Sequence, residues 1–136
     1  MIQILDNPAV RAAGVYIALL TLLSLVLALG VVRQRYRTRV LLGSGGDEQL
    51  ERAIRMHGNF VEYVPFGMAL LIVLSILGAG VGTIHALGLS LFVGRISHAL
   101  GLAGLVPTSA GRGLGMLLTW GNLLCGSVVL LLLALG

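Results

Sequence analysis

Three stretches of this chain carry no charge at all, and each is long enough to cross a bilayer. Ala12 to Val32, Tyr63 to Gly94 and Gly113 to Gly136 contain no Asp, Glu, Lys or Arg. As helices rising ~1.5 Å per residue, all three reach the ~30 Å of a hydrocarbon core. The second is too long for one span and is interrupted by glycines at Gly78, Gly80 and Gly82, so one helix should end near Leu77 and the next begin near Thr83. Lipid leaves every backbone N–H and C=O to be satisfied within the protein, which admits only helices and closed barrels. Ten-residue alternating segments, the mark of a barrel, are missing from the sequence. The expected fold is therefore all-α: an integral membrane, left-handed four-helix bundle forming a single domain over residues 1–136, with helices at about 9–33, 47–77, 83–106 and 111–135. Composition agrees. Hydrophobic residues make up 57% and charged residues 10%, where a soluble domain carries about 25% charged, and the mean hydropathy is +1.02.

The amino-terminal stretch lacks the basic region and small-residue cleavage pattern of a secretory signal, so the first hydrophobic segment is expected to be retained. Asp6 or Asn7 followed by Pro8 reads as a helix start. The first connection carries Arg33, Arg35, Arg37 and Arg39, with Arg52 and Arg55 at its far edge, and the third ends at Arg112. The positive-inside rule places both connections in the cytoplasm and both termini outside. The pI of about 10.2 reflects this boundary charge, and no nucleic-acid motif or partner is indicated. Cys125 sits among leucines and glycines, where it reads as inert packing. The many helical glycines point to close helix packing.

Residues 51–65, ERAIRMHGNFVEYVP, hold the chemistry. At ~100° per residue, Glu51, Glu62, Arg55, Asn59, Arg52 and Tyr63 fall within about 120° of one another, and His57 lies opposite. Ionisable groups at the edge of a span are a functional hypothesis by default; the alternative is a solvated or ion-paired helix end. Two guanidinium forks, an amide, a carboxylate and a phenol suit a zwitterionic, peptide-like ligand. Pro65 follows directly and loosens the helix. In GRISHALGL at 94–102, Arg95 and His98 share a face. Arg95 is expected to pair with Glu62 across the bundle, while His98 admits either polar packing or ligand contact. His85, beside the external turn, is expected to be solvated. Arg112 reads either as a headgroup anchor or as part of a convergent arginine pocket for an anion. No metal motif, nucleophile elbow or nucleotide fingerprint occurs, and no metal site is expected.

With ExxxRxxxNxxEY in the second helix and HGNFVEYVP at 57–65, the sequence resembles the membrane-associated proteins in eicosanoid and glutathione metabolism, the MAPEG superfamily. That group includes microsomal glutathione transferases, leukotriene C4 synthase and microsomal prostaglandin E synthase, and the chain is closest in pattern to its small bacterial branch. The resemblance covers most of the chain. It implies a homotrimer with active sites between subunits near the cytoplasmic face, and glutathione bound there in a bent form as co-substrate. Arg55, Asn59, Glu62 and Tyr63 match the family's glutathione contacts in helix two, and Arg33 matches a basic residue that binds a glutathione carboxylate. Arg95 and His98 match a GRxxH element, and Arg112, allowing a one-residue shift, is nearest to the arginine that activates the thiol. Leu102 stands where several members carry a tyrosine, and a further helix-three arginine is also missing.

Two functions follow as expectations. The first is a membrane-bound glutathione transferase or peroxidase: Arg112 is catalytic, and Arg33, Arg52, Arg55, Asn59, Glu62, Tyr63, Arg95 and His98 bind glutathione or a similar thiol. A lipophilic electrophile or hydroperoxide then arrives from the bilayer. The second is a non-catalytic membrane protein that binds an amphipathic thiol or lipid, or serves a larger complex. A small multidrug-type exporter fits poorly, because helix one has no carboxylate between Arg11 and Arg33.

Overall fold

The computed structural model describes residues 6–104 and 108–136. Four helices run through them: α1 (Pro8–Thr38), α2 (Glu48–Ile76), α3 (Val81–Ala103) and α4 (Thr108–Leu135). All four are long and apolar enough to cross a membrane. The first helix starts as its sequence dictates: Pro8 needs no amide partner, and the Asn7 side chain accepts from the Ala9 N–H at 2.9 Å.

Helix boundaries shift where local chemistry overrides the hydrophobic count. α1 continues five residues past the expected end at 33, so Arg33, Arg35 and Arg37 belong to the helix rather than to a connection. Arginine is a good helix former, and its charge is favoured in a last turn. The helix stops at Arg39, which is left-handed (φ 57°) and returns its N–H to the Arg35 carbonyl. α3 ends at Ala103 because Gly104 turns left-handed (φ 78°). Residues 105 and 106, expected to complete it, lie outside the described residues. α4 begins at Thr108, three residues earlier than expected.

The short link between α1 and α2 is clamped. One Arg35 terminal nitrogen donates to the carbonyls of Val40 and Gly43, both at 3.1 Å. Asp47 caps α2 by accepting from the Leu50 N–H at 2.8 Å, and it also accepts from Arg37 at 2.5 Å. Those two partners hold its carboxyl below the usual carboxylate range, the Leu50 bond contributing most. Glu48 and Glu51 occupy the first turn, where the helix dipole favours negative charge.

Packing is concentrated in two apolar clusters. Ala9, Ala12 and Ala13 of α1 meet Leu71, Leu74, Ile84 and Leu87 in one. Leu20, Phe60, Val64 and Leu91 form the other. Beside it, buried Asn122 of α4 donates to the Leu87 carbonyl at 2.5 Å and to Ser90 at 3.0 Å. Buried amides of this kind are stable only when bonded, and this one ties α4 to α3. Tyr16 lies against Gly88, and its hydroxyl meets exposed His85 at 3.0 Å, joining α1 to α3 at the other end of the bundle from the clamp. Leu22, Leu25, Val26 and Leu29 face outward from α1. So does Cys125 on α4, which corrects the expectation of a packed thiol: it lies on the outward face with Leu124.

α3 and α4 touch backbone to backbone. A Cβ at Gly115 would meet the Gly94 carbonyl at 2.6 Å, and one at Gly101 would meet the Arg112 nitrogen at 2.8 Å. Ser97 adds a bond to the Gly111 carbonyl at 3.1 Å. This close approach brings the start of α4, with Arg112, beside His98.

Two outcomes follow. Gly115→Ala should cost about 1–3 kcal/mol and lower the melting temperature in detergent, while Gly113→Ala, whose Cβ meets nothing within 4 Å, leaves it unchanged. For Asp47 the folded-state pKa is depressed, so its contribution is full above the unfolded value near 3.9 and is lost as pH falls through the lower folded value. The protection factor of the Leu50 amide should therefore drop below about pH 4, and Asp47→Asn should flatten that dependence.

Candidate functional site

The charged stripe of α2 opens onto a hollow of about 410 Å³ shared with α3 and α4. From α2 come Glu51, Ile54, Arg55, Gly58, Asn59 and Glu62; from α3, His98 and Leu102; from α4, Arg112. Their convergence follows from two local facts. The helical period brings the α2 groups to one side, and the glycine seam between α3 and α4 lets Arg112 approach His98. Ile54 and Leu102 supply apolar wall, and Gly58 leaves room at the centre of the α2 face.

The charges in the hollow are uncommitted. The ion pairs among the described residues join Arg11 to Asp6, Arg37 to Asp47 and Arg52 to Glu48. Arg55, Arg112, Glu51 and Glu62 belong to none of them. Two guanidiniums and two carboxylates are thus held on a rigid frame and left for solvent or a ligand. His98 is 5% exposed, and its Nδ1 has no hydrogen-bond partner. A buried ring nitrogen without a partner is costly, so it marks a place where a bound group or water completes the structure.

Arg95 lies behind the hollow rather than in it. It is 1% exposed and donates to Asn59 Oδ1 at 2.7 Å and to Thr119 Oγ1 at 3.2 Å. The expected pairing with Glu62 is not formed. Glu62 lies on the exposed rim, and the buried guanidinium finds Asn59, one helical turn earlier on α2, and Thr119 of α4 instead.

The other expected residues are placed elsewhere. Arg52 is bound to Glu48 four residues before it and lines a separate hollow with Gly30, Gln34 and Met56. Tyr63 is half-buried on α2 and does not line the site. Arg33 is exposed on α1, which contributes no residue to the hollow. His57, expected on the opposite face, also lies outside it. Sequence reasoning overlooked Glu51 as a lining group, although it shares the α2 stripe. It also overlooked Thr119, for which the sequence carries no signal beyond one hydroxyl in an apolar run.

Comparison with known proteins places the chain among others of its kind. The model of the family described as MAPEG matches residues 13–132. The inner membrane protein YecN of Escherichia coli strain K12 is 38% identical over 89 residues, covering 65% of this chain and 68% of that protein. The YecN protein of Escherichia coli O6:H1 matches to the same extent. No solved structure matches.

If the hollow is water-filled, thiol labelling will distinguish it from the outward face. Cys125 in the native protein should react with a hydrophobic maleimide and only slowly with a charged methanethiosulfonate. Gly58→Cys in a Cys125→Ser background should react rapidly with the charged reagent; equal, slow labelling at both positions would mean that the hollow is closed.

Proposed function

The chain belongs to the MAPEG family, and from that premise we propose that it binds glutathione, or a similar small thiol, between α2, α3 and α4 and delivers it to lipophilic acceptors. The observation that carries the reading is the gathering of Arg55, Arg112, Glu51 and Glu62, none of them in an ion pair, around one hollow that Asn59 and His98 also line. Its volume lies at the lower end of the range typical for small-molecule sites. A tripeptide with two carboxylates and one ammonium complements such a mixed set: guanidinium for carboxylate, carboxylate for ammonium.

In this reading Arg112 faces the sulfur. A guanidinium beside a thiol favours the thiolate, and a depression of one pKa unit corresponds to about 1.4 kcal/mol. The thiolate attacks an electrophilic carbon, a C–S bond forms, the leaving group departs as an anion, and the thiol proton passes to water. With a hydroperoxide, the sulfur attacks the distal oxygen and the O–O bond breaks; a second thiol then completes reduction to alcohol, water and disulfide. The wall at Ile54 and Leu102 favours acceptors carried by the bilayer.

The assembly is part of the proposal. Arg33 stands exposed on α1, away from the hollow of its own chain, and a homotrimer with sites between subunits would bring it to a neighbour's ligand. The arginine-rich end of α1 and the start of α4 are proposed to face the cytoplasm from the inner membrane, with both termini outside. Relatives named as inner membrane proteins support that location.

Leu102, which stands where the family resemblance implies a tyrosine, lines the hollow. It favours a second reading, in which the protein binds the thiol without turnover. Purified protein in detergent should be stabilised by glutathione and should conjugate a chlorinated nitrobenzene; stabilisation without conjugation selects the second reading, and neither effect rejects both. Arg112→Ala should lower turnover roughly tenfold at neutral pH for each pKa unit lost, with a smaller change in binding. Removing the cation raises the thiol pKa, so the rising limb of the pH–rate profile should move to higher pH. Undiminished conjugation would discard Arg112 as the activator.

A further inference from the structure

Arg95 is sealed inside the bundle, yet none of its hydrogen-bond partners is a carboxylate. The polarity of its bonds can be followed atom by atom. The Thr119 hydroxyl has one proton, which it donates to the Gly115 carbonyl at 2.7 Å. Its oxygen can therefore meet Arg95 Nη1 only as an acceptor. A guanidinium has no acceptor to offer. The Asn59 atom at 2.7 Å from Arg95 Nη2 must then be the carbonyl Oδ1 and not the amide nitrogen.

This fixes what Asn59 shows to its other side. A free asparagine can rotate about its last torsion and present either oxygen or nitrogen. Here the oxygen is committed, and the residue also lines the hollow. Its Nδ2, with two hydrogens, is the group left for a ligand. We infer that Thr119 and Arg95 are positioning residues that turn Asn59 into an obligate hydrogen-bond donor, so that the part of the ligand seated there is a carboxylate or amide carbonyl and never an ammonium. The inference rests on the small-thiol reading for its ligand and extends it by fixing the ligand's orientation. The ammonium is directed to the carboxylates of Glu51 and Glu62, and an acceptor group is directed to Asn59. Thr119 acts without touching the ligand, through two side chains.

Glutathione binding by calorimetry and melting without ligand test this together, on the full-length protein in detergent. Asn59→Asp keeps an oxygen for Arg95 but offers no donor, so it should melt at or above the wild-type temperature while losing roughly 10- to 100-fold in affinity. Asn59→Leu should melt lower. Thr119→Val should weaken binding about 3- to 10-fold, Thr119→Ser should restore it, and Thr119→Val should have no further effect on affinity in an Asn59→Ala background. Wild-type affinity in Asn59→Asp overturns the inference, as does an undiminished effect of Thr119→Val in the Asn59→Ala background. If the wild-type protein fails to bind glutathione, the small-thiol reading falls, and the ligand-free melts decide alone. Asn59→Asp at or above wild type, with Asn59→Leu below it, sustains the relay; both falling equally rejects it.

Discussion

A guanidinium enclosed by helices, with lipid rather than water beyond them, must find every one of its partners in the protein. Arg95 meets most of that requirement by drawing together three helices: Asn59 of α2 and Thr119 of α4 take its two terminal nitrogens on α3, and only Nε is left without a hydrogen-bond partner. Taking a charge out of water costs several kcal/mol even after relaxation, so the surrounding atoms are constrained tightly. The hollow is the other face of this constraint. Asn59 belongs to both, and His98 lies one turn along α3 from Arg95 with an unsatisfied nitrogen.

The frame that makes this possible is built from residues with almost no side chain. Gly94, Gly101, Gly111 and Gly115 let α3 and α4 meet along their backbones, which in a membrane replaces the hydrophobic drive that water would supply. Asn122 fastens the same pair farther along. At the opposite side, α1 is held by small alanines and by Tyr16 seated against Gly88. The loop clamp of Arg35, Arg37 and Asp47 sets where α2 begins.

Much of this was readable in advance because lipid imposes a simple rule. Uncharged runs gave four spans, and the helical period gathered Arg55, Asn59 and Glu62 on one side of α2. Both are one-dimensional signals. Pairings across helices are not. Glu62 was the natural partner for Arg95 by charge, yet a neutral amide and a hydroxyl hold it, because position in the bundle decides which groups can meet. Arg52 lies about 60° from Arg55 on a helical projection but binds Glu48 four residues earlier, a local pairing that competes with the shared stripe. Helix ends were missed for a similar reason. Arginine ends a hydrophobic count without ending a helix, so α1 runs on to Thr38.

Ile54 and Leu102 give the hollow an apolar side next to its charged one. On the proposed reading, a lipophilic acceptor reaches that side from the bilayer, where its abundance is a mole fraction rather than a molarity. Saturation then depends on the ratio of solute to lipid, and adding more detergent or vesicles at constant total solute dilutes the reactant in two dimensions.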